Sequence, residues 1–254
     1  MRADGVVARA GSKVVKNVAG YDLAKLFTGS YGTLGVLTEV TLKLKPRPAA
    51  RRFVVADYHS RATFSASLAE VLASQVAPTA IEVEQAHPEA PVQLCVLIEG
   101  RPRAVEQRTA EVARLLGGAE VHPTAPPGWG QLPGPVTLKL TAPLSAVPAL
   151  VEQASSHAAE CGWQSRLAGS AGSGVLFLGA PDQVGTEALA ALLAGLRSVA
   201  VGLGGHATVL RASASLKTSL DVWGPVPGIA LMHRIKASFD PDRRLSPGRF
   251  VGGI

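Results

Sequence analysis

Cysteine is scarce in this sequence: Cys95 and Cys161 are the only two in 254 residues. Neither belongs to a CxxC motif or a Cys/His cluster, which argues against a structural zinc or an iron–sulfur cluster held by this chain. Cys95 lies inside the apolar run "VQLCVLIE" and reads as a core residue; Cys161 lies at a helix end, "AAECGW". Aromatic residues make up only 5% of the chain, and its 25 Lys and Arg against 19 Asp and Glu are scattered singly or in pairs such as Arg51-Arg52 and Arg243-Arg244. A net charge of +6 without a basic run interleaved with aromatics does not make a nucleic-acid groove, so no nucleic-acid partner is expected. No apolar run approaches the ~20 residues of a transmembrane segment. The stretch "MRADGVVARAGSKVV" lacks the apolar core of a signal peptide, so the expected location is cytoplasmic.

Familiar catalytic spacings are missing too. The six histidines form no HxH, HxxxH or HExxH pattern, and no metal site is expected. No G-x-S-x-G elbow occurs: "GSAGSG" at 169–174 has the wrong spacing and reads as a hairpin turn. The glycines of "GLGGH" at 202–206 follow a helix and precede a strand, the reverse of a dinucleotide fingerprint.

What is present is a double α+β pattern. Strand 52–58, helix 61–75, strands 80–84 and 92–100, helix 102–116 and a short strand near 119–122 form one βαββαβ order. The same order recurs as strand 136–142, helix 144–161, strands 163–169 and 174–180, helix 182–201 and strand 206–212. These are two ferredoxin-like split units, expected to merge into one antiparallel sheet with helices on one face. Ahead of them, residues 34–45 alternate, with Val36, Thr38, Val40, Leu42 and Leu44 on one side, as a half-buried strand would. Pro46 and Pro48 end that segment and mark a boundary. Short helices near 213–219 and over 229–239 lead to a Pro/Gly-rich tail, "DPDRRLSPGRFVGGI".

The remaining motif is "GSKVVKNVAGYDLAKLFTGSYGTLGVLTEVTLKLKPRP". Gly29, Gly32 and Gly35, with Ser30 and Thr33 between them, allow backbone N–H groups to approach a phosphate-bearing cofactor, although glycines alone also make ordinary turns. The order "KNVAGYDL…GSYGTLGVLTEVTLK" resembles the second half of the FAD-binding domain of the vanillyl-alcohol-oxidase/PCMH superfamily, most nearly that of the FAD-binding E subunits of bacterial glycolate oxidases. The tail "LDVWGPVPGIALMHRIKASFDPDRRLSPGRFVGGI" resembles the end of those subunits, with Ser246 where asparagine is usual, and the double split unit fits their cap.

The resemblance implies domains at 1–48 (remnant of the FAD domain), 49–212 (cap, with split units 52–122 and 136–212) and 213–254 (tail returning to the FAD domain). It implies that Asn17, Ala19, Gly20 and Tyr21 lie along the flavin side, and that Gly29, Ser30, Gly32, Thr33, Gly35 and Val36 line the diphosphate and adenosine of FAD. Pro247, Gly248 and Arg249 would return the chain to the flavin domain. The implied activity is FAD-linked oxidation of glycolate or a similar 2-hydroxy acid, beside a related FAD-binding D subunit and an iron–sulfur F subunit. The alternative is an assembly module of the same complex that binds no FAD. Family members carry a preceding half-domain with its own glycine-rich loop, so the expected FAD site is incomplete and the strand 34–45 is expected to need a partner, a repacking or a homodimer. The HGDGNxH-type histidines of related dehydrogenases are absent, and no general base is assigned here.

Overall fold

The computed structural model describes residues 1–13, 20–181 and 183–254. They form two compact units, Met1–Pro46 with Pro225–Ile254, and Arg47–Gly224.

The larger unit is built on an eight-stranded sheet. Its elements are β1 (Ala50–Tyr58), α2 (Arg61–Ala73), β2 (Ala80–Gln85), β3 (Val92–Gly100), α3 (Pro102–Leu115) and β4 (Glu120–His122), then β5 (Val136–Thr141), α4 (Val147–Glu160), β6 (Leu167–Ser170), β7 (Val175–Ala180), α5 (Thr186–Gly202) and β8 (His206–Arg211), followed by α6 (Ala214–Ser219). The strand order is β4-β1-β3-β2-β6-β7-β5-β8, and every neighbouring pair is antiparallel. Each half is therefore a split unit, and the two join edge to edge where Glu82 faces Ser170 and Gln85 faces Leu167.

Period-two alternation sends one residue set to the helices. Val54, Leu94, Val96, Ile81 and Val83 from the first half, and Leu138, Leu140, Leu176 and Leu178 from the second, share a core with Phe64, Leu68, Val112, Leu150 and Leu192 of the helices. At roughly 25 cal/mol per Å² of apolar surface removed from water, this continuous core is the dominant stabilising term. Helix ends follow local chemistry: Ser60 caps α2 by accepting from the Thr63 N–H, and Pro102 occupies the first turn of α3, where its missing N–H costs nothing.

Two sequence expectations shift. The strand expected over 163–169 begins only at Leu167, because the N–H of Trp163 still donates to the Ala158 carbonyl and finishes the end of α4. Residues 34–45 form no strand. They have no ladder partner among the described residues, and Val36, Val40, Leu42 and Leu44 are exposed, Leu44 at 86%. Alternation specifies which side chains a strand would bury, but a strand exists only when a neighbour takes its N–H and C=O groups.

The smaller unit contains α1 (Leu23–Phe27), α7 (Ile229–Phe239) and the tail. Phe27 packs edge-on against Phe239 with centroids 5.6 Å apart, and Tyr31 stacks on Phe250 at 5.3 Å. Among the described residues, no helix is long and apolar enough to cross a membrane.

Candidate functional site

In the smaller unit, Asp22 caps α1 by accepting from the Lys25 N–H, and the chain leaves the helix in a tight turn. Gly29 and Gly32 have φ near +80°, a conformation that glycine adopts without strain, and Tyr31 between them is also left-handed at +56°. The N–H of Ser30 donates to Phe27, those of Thr33 and the Thr33 hydroxyl to Ser30, and that of Val36 to Met1. The amides of Gly29 and Gly32 have no acceptor among the described residues. A side chain at Gly29 would meet open space, whereas at Gly32 it would lie 3.4 Å from the Ser246 hydroxyl.

The other sequence-derived site residues divide by environment. Gly20 is exposed, and Tyr21 is 95% exposed. Ser30 and Thr33 are buried, with Thr33 at 1% exposure, so their side chains shape the turn from inside. Gly35 is also buried: a Cβ there would lie 2.5 Å from the Phe27 ring, so this glycine seats the ring. Val36 is exposed. Asn17 and Ala19 lie outside the described residues. In the tail, Pro247, Gly248 and Arg249 are exposed, and the Arg249 N–H donates to Ser246, whose φ is +43°.

Two residues that the motifs do not single out organise this turn. Lys236, on α7, is only 4% exposed and donates to the Thr33 carbonyl (2.8 Å), the Leu245 carbonyl (2.8 Å) and the Asp240 carboxylate (2.5 Å). Asp240 is fully buried and also accepts from the N–H groups of Arg244 (2.9 Å) and Leu245 (2.8 Å). Burial pushes its carboxyl up, but the Lys236 hydrogen bond, the two backbone donors and the ammonium charge outweigh this and hold it at about 2. A sequence signal exists in retrospect: a carboxylate at a helix C-terminus opposes the macrodipole, so Asp240 requires a compensating partner, and Lys236 stands four residues before it.

The larger unit has a second concentration of polar groups, on the sheet face away from the core. Arg166 Nε donates to Glu84 at 2.8 Å, and Gln93 donates to Asp57 at 3.0 Å. Glu82 is half-buried beside them; burial raises its carboxyl, opposed by a hydrogen bond from Ser170. Burial, reinforced by the Glu82 charge, pushes the Cys95 thiol up to about 12, so it is an unreactive buried thiol on this face. Glu82, Glu84, Gln93 and Cys95 line a cavity of about 100 Å³ together with Trp129, whose ring meets Phe53 edge-on at 5.1 Å. Among the described residues, no group of three His, Cys, Asp or Glu is placed to hold a metal.

Comparison with known proteins adds a family. The model for the C-terminal domain of FAD linked oxidases matches residues 103–250. The glycolate oxidase subunit GlcD of Bacillus subtilis (strain 168) is 26% identical over an alignment of 285 residues, which takes in 97% of this chain and 61% of that protein. The glycolate oxidase subunit GlcE of Escherichia coli (strain K12) is 38% identical over 131 residues, 49% of this chain and 31% of that protein. The chain thus spans about three-fifths or less of the length of these relatives. Among solved structures, alkyldihydroxyacetonephosphate synthase in a P1 crystal superposes with a TM-score of 0.55 at 15% identity, covering 90% of this chain and 50% of that one, a likeness of fold. The chain belongs to the FAD-linked oxidases, and FAD is the cofactor of that family.

Proposed function

We propose that this chain supplies one wall of the FAD site in an oxidoreductase that converts glycolate or a similar small 2-hydroxy acid to the 2-oxo acid. The observation that carries this reading is the turn at Gly29–Gly32: two exposed, left-handed glycines whose amides have no acceptor among the described residues, in a chain of an FAD-linked family. Such amides match the chemistry of a diphosphate, which takes hydrogen bonds from backbone N–H groups that can approach closely. Bound there, FAD would supply the hydride acceptor for oxidation of the carbon that bears the hydroxyl. The chain's own residues bind and orient: Gly29 and Gly32 donate to phosphate oxygens, while the inward Ser30 and Thr33 keep the turn in shape. Gly20 and Tyr21 lie on the flavin side, with Asn17 and Ala19 in the same role. Gly35 and Val36 act through the backbone, Gly35 by seating Phe27.

In domain terms, the resemblance assigns residues 1–48 and 213–254 to the flavin part and 49–212 to the cap, and we place the second boundary after Gly224. The division into Met1–Pro46 with Pro225–Ile254 and Arg47–Gly224 supports this outline. Residues 213–224 stay with the sheet unit because the Val209 N–H donates to Val222 and Arg197 pairs with Asp221. The proposed FAD site is incomplete with these residues alone: the exposed alternating segment 36–45 calls for neighbouring strands, from a further part of the site or from a second copy. The proposed partners are a related FAD-binding D subunit and an iron–sulfur F subunit.

Purification with FAD, alone and together with the D and F subunits, tests this. The expected result is a yellow protein with visible flavin absorbance and glycolate-dependent dye reduction. A preparation that stays colourless under both conditions overturns the FAD role. The exposed 36–45 segment also favours a second reading, an assembly module without FAD, for which a colourless chain that still captures D and F is the signature.

A further inference from the structure

The closed network around Lys236 has more order than its location requires. An ammonium has three protons, and all three are used: one on Asp240, one on the Leu245 carbonyl in the tail, and one on the Thr33 carbonyl in the turn. Asp240 in turn clamps the tail through the N–H groups of Arg244 and Leu245. One buried ion pair therefore ties three segments together: α7, the tail at 244–245 and the glycine turn. Both side chains are almost fully removed from water. Burial of two charges is a poor way to gain stability, because desolvation offsets the attraction, and apolar replacements of similar volume are often neutral or stabilising. What the pair does provide is direction. Its hydrogen bonds are satisfied in one arrangement, in which the Thr33 carbonyl is fixed between Gly32, at φ +80°, and the buried Gly35.

We propose that Lys236 and Asp240 are positioning residues for FAD: together they latch the Thr33 carbonyl and so hold the turn from Gly29 to Gly35 in the conformation that presents its amides to the cofactor. This rests on the reading of that turn as an FAD loop. Neither side chain touches FAD; both act through the backbone of Thr33. Without the latch, the glycines at 29 and 32 are free to sample other conformations, and FAD binding must select the presenting one. If that state falls to about a tenth of the population, the apparent Kd for FAD rises about tenfold.

The decisive variant is the apolar pair Lys236→Met with Asp240→Leu, which removes both charges together and leaves neither unpaired. The expected result is a melting temperature within about 4 °C of the wild type, faster exchange of the hydrogen-bonded amides of Ser30, Thr33 and Val36 within 29–36, and FAD affinity weakened about tenfold in whichever assembly turns yellow in the experiment above. A pair that merely held the fold together would not separate these readouts. A folded double variant with unchanged exchange at 29–36 and unchanged FAD affinity overturns the proposal. If the double variant does not fold, exchange in the wild-type chain decides: the Arg244 and Leu245 amides are expected to exchange as slowly as the middle of α7, and exchange as fast as that of residues 37–45 overturns the latch. If no assembly of the wild type takes up FAD, the FAD reading has failed by itself, and the exchange measurements still judge the latch.

Discussion

Replacing Gln85 tests whether the two split units of the sheet behave as one cooperative body. Gln85 sits on β2 at the seam with β6, and its side chain is buried. Its amide donates to the carbonyls of Pro88 (3.0 Å) and Ala90 (2.8 Å) in the following turn, and its carbonyl accepts from the Ser155 hydroxyl (2.6 Å) on α4 of the other half. Gln85→Met keeps the volume and removes all three bonds. Each is worth about 1 kcal/mol net, and a buried group left unpaired costs a further 1–3 kcal/mol or so. The Ala90 carbonyl is half-exposed and regains a water, and Ser155 can turn to a carbonyl one turn back on α4, which leaves Pro88 as the main orphan. The expected loss is therefore about 3–5 kcal/mol. Ser155→Ala alone removes one bond and strands the Gln85 carbonyl, for about 1–2 kcal/mol. The double variant should lose less than the sum of the two by about 1 kcal/mol, because the shared bond can be broken only once. Urea unfolding followed by tryptophan fluorescence reads this out, since Trp129, Trp163 and Trp223 all lie in the sheet unit. A Gln85→Met loss below about 0.5 kcal/mol, or strict additivity in the double variant, would refute the argument that this network couples the halves. A second transition appearing in Gln85→Met would show that the seam, not the shared core, was holding them together.

Three other outcomes follow from single positions. Gly35→Ala places a Cβ 2.5 Å from the Phe27 ring, which also packs edge-on against Phe239; the expected cost is about 1–3 kcal/mol, visible as faster exchange at residues 29–36 and relieved by adding Phe27→Leu. Ser246 is held at φ +43°, where asparagine is far better tolerated than serine, so Ser246→Asn should raise stability by up to about 1 kcal/mol in chemical denaturation, and a loss would show that crowding by the larger side chain beside Gly32 outweighs the backbone gain. The Asp240 carboxyl titrates at about 2 in the folded chain against an ordinary 3.8. A depressed carboxyl contributes stability that is complete above 3.8 and fades as pH falls toward 2, so the stability gap between wild type and Asp240→Asn should shrink on acidification through that window, and a gap constant from pH 6 to pH 2.5 would contradict it.

The split units were legible because their signals are local. The β-rich runs at 92–100 and 136–142, Pro102 at the start of α3 and the Gly117-Gly118 pair after it each report on a few neighbouring residues. The seam was not legible: pairing of β2 with β6 depends on register between segments more than eighty residues apart, and no local pattern encodes it. The glycine turn was found through its motif, yet the motif could not separate Gly29, open to solvent, from Gly35, filled by Phe27, since both need the absence of a side chain for opposite reasons.

Charge pattern was silent on the buried pair. Lys236 and Asp240 sit among Arg234, Asp242, Arg243 and Arg244, and nothing in the local sequence of charges sets them apart. Lys236 and Asp240 differ from their neighbours only in being four apart on a helix whose end is covered by its own tail, so that the ammonium reaches a carbonyl more than two hundred residues earlier in the chain. The exposed neighbours make surface contacts that contribute little, such as the pairing of Arg244 with Asp242. The buried two are costly to desolvate, and that cost is tolerable only where one geometry satisfies every donor and acceptor. The expensive pair therefore marks a backbone carbonyl held in one geometry, and the residue it holds lies inside the motif whose resemblance points to FAD.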